Sequence, residues 1–422
     1  MIDGKREFAL LKEIGFVRMG ATAAEDRAAD ILISRLKEAG VTAEKEYFST
    51  IRSNVKKASF EVLEPYQKEY MVRGFRNAKA TPEEGIVCDV FYAPDDKPVT
   101  LKKGKGKIIL HDSYVGIAGH TKLKNMEAAG FVATASNSNV YIPDEYQDLD
   151  EGEFRSKFIG VYDLPGVNVM AKDLMEMVER GASKARLTLL QEEENADSCN
   201  VVARIKGTEG KEAIVFTAHY DSVEFSNGVY DNGSGSVCLY ELAAYFAKHQ
   251  PRADLIFVWC GCEERGLLGS RAYVEAHKEE LDRISLCINV DMIGTIMGHA
   301  EAICTADDSL ASYIDYLGKE VGYSIYSHKG VYSSDSTPFA DAGVPAVSFA
   351  RETTQNFGPV HCRYDRIEHM SEKNLAEDTE FICLFAKMMA DAFIIPVPRK
   401  MPQDMLEELD EYNGRAPLNK LK

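Results

Sequence analysis

Five residues of the types that divalent metals favour occur in order along the chain: His219, Asp231, Glu264, Asp291 and His361. Each lies in a stretch suited to presenting it in a cleft. His219 stands in Thr217-Ala218-His219-Tyr220-Asp221, Asp231 opens Asp231-Asn232-Gly233-Ser234-Gly235, and Glu264 is the second of the pair Glu263-Glu264. Asp291 sits in Asn289-Val290-Asp291-Met292-Ile293-Gly294, and His361 follows Pro359-Val360. Two imidazoles and three carboxylates suit a pair of divalent ions with one carboxylate bridging them. Zinc accepts such a mixed set, and cobalt or manganese suit its oxygen-rich character. Two ions about 3.5–4 Å apart can hold a water as hydroxide and polarise a scissile carbonyl. Glu263 is left uncommitted beside the set, where it can take the water proton and hand it to a leaving amine. Asp221, two residues after His219, is placed to accept the imidazole's other N–H. The pattern predicts a metal-dependent hydrolase.

Each residue taken singly has an ordinary reading. A histidine at a strand end is usually a satisfied loop residue, Asp-Asn-Gly-Ser-Gly is turn composition, and a Glu-Glu pair before a helix suits the helix dipole. Asp291 in an apolar stretch is harder to dismiss, because an unpaired buried carboxylate is costly. Their order and their shared placement carry the hydrolase reading. Other signals are weaker. Cys260-Gly261-Cys262 is too tight for a structural zinc pair. His111, Asp112 and His120 read as surface residues rather than a second metal site. Ser333-Ser334-Asp335 has no nucleophile elbow around it, and Gly233-Ser234-Gly235 lacks the lysine and spacing of a phosphate loop.

The elements that must position these residues follow from periodicity. Thr22 to Gly40 reads as a capped helix, with Thr22 and Glu25 as a capping box and Ala28, Ala29, Leu32 and Leu36 as its apolar stripe. A strand is expected over Val41–Phe48. From Arg52 to Glu192 the character changes. Short strands at Phe60–Leu63, Gly85–Phe91, Gly106–Leu110 and Gly130–Ala135 accompany helical spacing over Leu123–Ala129. This block holds none of the five residues and reads as an insertion with its own core. From Asn200 the pattern is strand, loop, helix, repeated. Strands are expected at Asn200–Ile205, Ala213–Thr217, Leu255–Cys260, Leu286–Val290 and Val344–Phe349, with a helix over Val237–Lys248. Such βαβ units imply an α/β fold whose mixed, mostly parallel central sheet carries helices on both faces, plus a smaller β-rich α+β insertion. Four of the five candidate ligands, and Glu263, fall at or just after a strand's C-terminal end, the edge where open α/β sheets assemble sites. The expected division is a catalytic domain over 1–51 and 193–395, an inserted domain over 52–192, and a polar surface tail over 396–422.

Composition narrows the partners. A net charge of −18 argues against nucleic acid or an anionic membrane surface as a partner. No apolar run of spanning length occurs. The start of the chain lacks a signal-peptide pattern, and nine scattered cysteines suit a reducing compartment, so a cytoplasmic location is expected.

As an ordered set, His219-Tyr220-Asp221-Ser222, Asp231-Asn232-Gly233-Ser234-Gly235, Glu263-Glu264-Arg265-Gly266-Leu267-Leu268-Gly269-Ser270, Asn289-Val290-Asp291-Met292-Ile293-Gly294 and His361 with Tyr364-Asp365 resemble the co-catalytic zinc aminopeptidases of zinc peptidase family twenty-eight. The likeness covers Asn200 to about Phe393 and the first fifty residues. It implies two zinc ions per chain: His219 and Asp291 complete one site, Glu264 and His361 the other, and Asp231 bridges them. It also implies Glu263 as general base and Asp221 as the partner of His219. The chain departs from the family at the residue after Asp335 and at Cys362-Arg363-Tyr364-Asp365-Arg366, which leaves the substrate pocket unassigned. The inserted block resembles a protease-associated domain through Gly106–Leu110, the helix end at Lys124–Gly130 and Leu164–Val169. The resemblance implies an aminopeptidase acting on peptides with a free N-terminus, its oligomeric state left open. The competing readings are a carboxypeptidase or amidohydrolase on the same scaffold, and a catalytically silent receptor-like protein. Glu263→Ala is expected to keep its metal and lose about 10²–10⁴-fold in turnover. Near-normal turnover in that variant would remove Glu263 from the base role.

Overall fold

The computed structural model describes residues 2–95, 97–134, 149, 152–154, 162–354 and 356–415. Ala135, the last residue of one expected strand, and the tail beyond Arg415 lie outside them. The chain divides into two compact units, one of Met1–Thr50 with Asp197–Lys422 and one of Ile51–Ala196.

The first unit is built on a sheet in which seven strands pair in succession. Its strands in chain order are β1 (Lys184–Ile205, contributing its C-terminal part), β2 (Ala213–His219), β3 (Asp254–Cys260), β4 (Ile284–Val290), β5 (His299–Thr305), β6 (Ile325–Lys329) and β7 (Ala346–Glu352). Across the sheet they run 6-5-7-4-2-3-1. The pairs β2–β3, β2–β4, β4–β7 and β5–β6 are parallel, while β3–β1 and β5–β7 are antiparallel. The sheet is therefore mixed and mostly parallel, as the sequence pattern implies. β2 and β4 are buried along their whole length, which explains their mostly apolar character. The outer strands β5 and β6 and the helices Asp308–Val321 and Glu372–Ala390 escape the periodicity reading.

The helix Ser234–Phe246 is buried on nearly every side. It is anchored by polar contacts rather than by an amphipathic stripe. Ser236 Oγ donates to the His219 carbonyl at 2.7 Å, Trp259 Nε1 donates to the Ser236 carbonyl at 2.8 Å, and the Arg6 guanidinium grips buried Glu241 through two bonds of 2.7 Å. The expected helix at Thr22 forms over Ala23–Glu38 with Thr22 as its N-cap. Glu25 does not close a simple capping box, since its carboxylate reaches Ala21 N, Ser198 Oγ and Cys262 N instead. The tail also differs from the surface segment expected for it. Its helix Gln403–Tyr412 buries Met405 and Leu409, with Met401, in a core that includes Phe339 and Ile284.

The second unit places Ile86–Tyr92, Ile108–Leu110, Gly130–Ala133 and Gly166–Asn168 side by side as parallel strands. Apolar clusters around Val132 and around Phe131 fill it. The two strands expected at Val41–Phe48 and Phe60–Leu63 are one, Ala43–Glu64. The helix expected over Leu123–Ala129 lies earlier, at Ile117–Asn125, because Glu127 turns left-handed (φ 53°) and ends it. None of the nine cysteines forms a disulfide, and eight of them are buried. No helix among the described residues is long and apolar enough to cross a membrane.

A buried acid offers a pH test of this packing. Glu7 is fully buried; its Oε1 accepts from Thr379 Oγ1 at 2.5 Å and its Oε2 has no hydrogen-bond partner. Burial pushes its pKa well above the ordinary carboxylate value, with Glu241 and Asp378 adding to the push. The folded state therefore holds a proton that the unfolded chain releases near its own carboxylate pKa, so stability falls as pH rises above that value. Glu7→Gln removes this loss. Urea unfolding is expected to show the variant gaining on the parent between pH 5 and pH 8, by about 1–3 kcal/mol. A difference that stays constant with pH would contradict it.

Candidate metal centre

The sheet order reverses around β2, since the chain continues to β3 on one side and β4 on the other. The C-terminal ends of β2 and β4 therefore open a crevice at the switch point. His219 is the last residue of β2, and Asp291 follows β4, its N–H donating to the Phe349 carbonyl at 2.9 Å. Glu263 and Glu264 lie in the loop after β3, and His361 lies in the long connection after β7. His219, Asp231, Glu263 and Asp291 are buried, whereas the His361 side chain is 53% exposed.

All six sequence-selected groups converge. Asp231 lies between the two imidazoles: Oδ1 is 3.1 Å from His219 Nε2 and Oδ2 is 3.0 Å from His361 Nε2. Asp291 Oδ1 is 3.6 Å from His219 Nε2, and Glu264 Oε2 is 3.1 Å from His361 Nε2. Glu263 Oε2 stands 3.9 Å from His219 Nε2. Ligand atoms of His219, Asp231 and Glu264 all lie within 4.8 Å of one another. Asp221 Oδ1 is 3.4 Å from the other ring nitrogen of His219, and the same carboxylate accepts the backbone N–H groups of Glu263 (2.9 Å) and Glu264 (3.3 Å). One side chain thus orients a candidate ligand and fixes the loop carrying two more groups.

Several supporting residues were given no role from the sequence. Asp365 accepts from the backbone N–H of Val229 and Tyr230 through Oδ1 and of Asp231 through Oδ2, at 2.8–3.1 Å. It ties the His361 segment to the Asp231 turn; its position four residues after His361 is the signal available in the sequence. Asn232 accepts from Gly235 N and Met292 N and donates to the Val290 carbonyl, joining the Asp231 turn to the Asp291 loop. The Asp231–Asn232 peptide is cis. Arg18, fully buried, donates to the carbonyls of Tyr220, Asn227 and Gly228. Asp335 is buried behind the site with no hydrogen-bond partner on either oxygen. Nothing in its local sequence separates Arg18 from other charged residues, whereas Asp335 stands in a stretch that the family resemblance touches.

The electrostatics call for cations. Burial raises the pKa of Glu263 well above normal, and Glu264, Asp335 and Asp291 raise it further against the pull of His219. Burial likewise lifts Asp335 and Asp365 to about 7. Burial opposes a charge on His219, yet Glu263 and Asp291 carry its pKa well up; Glu264 does the same for His361. Burial also disfavours ionised Asp231, but hydrogen bonds from both histidines hold it well below the usual range. The donor set fits divalent ions: both imidazole Nε2 atoms face carboxylates, Asp231 presents one oxygen to each, and Asp291 Oδ1 is buried without a hydrogen-bond partner. Backbone strain gathers at the same place. Cys262, Leu267, Met292 and His361 all have left-handed φ between 53° and 67°, a conformation costing of order 1–3 kcal/mol each and held at functional sites by surrounding structure.

Residues 200–386 match the Peptidase family M28 profile, and the segment contains every ligand candidate and Glu263. Aminopeptidase YwaD of Bacillus subtilis (strain 168) is 27% identical over 378 residues, covering 86% of this chain and 79% of its own. Carboxypeptidase Q of Xenopus laevis is 26% identical over 335 residues, covering 72% of this chain and 68% of its own. The solved structure of BSAP, a zinc aminopeptidase from Bacillus subtilis, superposes with a TM-score of 0.76 at 21% identity, over 96% of this chain and 99% of that one. The mixed α/β fold is thus that of known zinc aminopeptidases. The matched segment holds the whole cluster.

Asp221→Ala removes the carboxylate beside His219 Nδ1 and the acceptor of the Glu263–Glu264 loop. Chelator competition is expected to show metal held about 10–100-fold more weakly. Unchanged affinity would mean that the 3.4 Å contact to His219 orients nothing.

Proposed function

We propose that the chain is a zinc-dependent aminopeptidase that holds two ions, His219 and Asp291 serving one, Glu264 and His361 the other, and Asp231 both. The observation that carries this reading is the division of the Asp231 carboxylate, one oxygen toward each histidine, with a further carboxylate flanking each imidazole. Zinc bound there would supply Lewis acidity to a scissile carbonyl and lower the pKa of an attacking water.

The chain's own residues do the rest. Glu263 is buried, has no part in dividing the two halves of the cluster, and binds a proton readily because burial and neighbouring carboxylates disfavour its charge. It therefore suits taking a proton from water and releasing it to the departing amine. Asp221 keeps the His219 ring turned so that Nε2 faces the carboxylates, and Asp365 holds the backbone of the Asp231 turn. The net charge of −18 favours a substrate with a free α-ammonium group. Residues 51–196 serve, in this proposal, as a protease-associated domain; a cytoplasmic location and the oligomeric state belong to the same proposal.

The carboxypeptidase alternative needs a basic residue available to a substrate carboxylate. Arg351 is already engaged, its guanidinium pairing with both oxygens of Asp378. Free and N-acetylated aminoacyl amides, with N-acetylated peptides ending in a free carboxylate, assayed before chelation, after it and after zinc is restored, separate the readings. Cleavage of the free-amine substrates alone, lost and regained with zinc at two ions per chain, is the expected outcome. Turnover of acetylated peptides from their C-terminus, or none at all, would overturn the aminopeptidase reading.

A further inference from the structure

The C-terminal helix meets the site through a spacing match that nothing in the catalytic motifs requires. On Gln403–Tyr412, the residues Asp404, Glu408 and Tyr412 recur every four positions and so share one face. Each contacts an alternate residue of the segment from Lys329 to Ser333. Lys329 Nζ lies 2.6 Å from Asp404 Oδ2, the Val331 backbone N–H donates to Glu408 Oε1 at 2.9 Å, and the Ser333 and Tyr412 hydroxyls are 2.9 Å apart. The two rows therefore meet at three positions. Burial of Met401, Met405 and Leu409 fixes the neighbouring stripe of the helix in the core.

Residues 329, 331 and 333 are engaged by the helix, and Tyr332 lies between two of them in the chain. Its hydroxyl is buried and pairs with nothing, in the field of Asp291, Tyr230, Asp231 and Glu352. Its backbone is fastened as well. The Tyr332 carbonyl accepts from Thr337 Oγ1 at 2.7 Å, and the following Ser334 Oγ accepts from Asn289 Nδ2 at 3.0 Å, two residues from Asp291. A buried hydroxyl without a partner is costly, and a polar group of a bound peptide would relieve that cost.

We propose that the C-terminal helix latches residues 329–333, holding the Tyr332 hydroxyl where it hydrogen-bonds the backbone of a peptide at the metal centre. Tyr332 is the substrate-touching group; Asp404, Glu408 and Tyr412 are positioning residues. This rests on the peptidase reading, and it makes the tail part of the substrate site.

The test compares Tyr332→Phe, Glu408→Ala, Glu408→Gln and the double variant Tyr332→Phe/Glu408→Ala on a chromogenic aminoacyl anilide, with zinc content and thermal melting measured alongside. Tyr332→Phe and Glu408→Ala are each expected to lower kcat/KM by about 10–100-fold at unchanged zinc content. Glu408→Gln keeps an acceptor for the Val331 N–H and should recover most of the rate. The double variant should be no slower than Tyr332→Phe, because the latch acts through that hydroxyl. Wild-type kcat/KM in folded Glu408→Ala, or losses that multiply in the double variant, would overturn the proposal. Should Glu408→Ala fail to fold, Asp404→Ala/Tyr412→Phe replaces it under the same criteria. A parent enzyme silent on every substrate refutes the peptidase reading itself. Hydrogen exchange at the Val331 amide then decides the latch: faster exchange in Glu408→Ala supports it, and unchanged exchange sinks it.

Discussion

Negative charge packed out of water is the constraint around which the first unit is arranged. Asp221, Asp231, Glu263, Asp291, Asp335 and Asp365 are all buried, and Glu264 nearly so. Two like charges 4 Å apart repel by about 4 kcal/mol even at an effective dielectric constant near 20. A cluster of this size is sustainable only with compensation. The protein provides three kinds: backbone N–H groups aimed at Asp221 and Asp365, the buried guanidinium of Arg18, and two imidazoles beside Asp231. The remaining excess is a demand for cations, and it sits where imidazole nitrogens and carboxylate oxygens converge.

That demand explains why so much of the surrounding hydrogen bonding serves loops rather than strands. The parallel strands hold one another through their ladders and need no help. The segments leaving them carry Asp231, Glu264, Asp291 and His361, and have no such support. Asn232 joins the Asp231 and Asp291 segments, Asp365 joins the His361 segment to the Asp231 one, and Asp221 fastens the Glu264 segment near the end of β2. Left-handed residues at Cys262, Leu267, Met292 and His361 persist because these ties leave the backbone little choice. The same logic extends outward to the segment carrying Tyr332, fastened by Asn289 on one side and by the C-terminal helix on the other.

Much of the fold was legible where a single element carries its own signal. β2, β3 and β4 are mostly apolar runs, since both faces of each are covered. β5 and β6 were not legible: each is partly exposed and mixes polar with apolar residues. The helix Ser234–Phe246 was recognisable, yet its burial on nearly all sides was not, because its serines and Glu241 are satisfied by partners up to 238 residues away. The Glu127 turn defeated the expected helix over Leu123–Ala129, since a left-handed non-glycine residue leaves no mark in composition.

The sequence by itself determined the chemistry of the cluster. His219, Asp231, Glu263, Glu264, Asp291 and His361 are distinctive in type, in order and in their place after apolar strands. Which oxygen faces which nitrogen was decided only in three dimensions, as was the support from Asp365, Asn232, Arg18 and Tyr332. The reason is physical. A ligand's identity is a local property of one side chain, whereas its orientation depends on backbone groups and charges that the chain brings together from far apart. Asp365 and Asp231 are 134 positions apart, and Arg18 and Gly228 are 210 apart. No window of sequence contains such a pair, and only the packed sheet and its loops place them within a hydrogen bond.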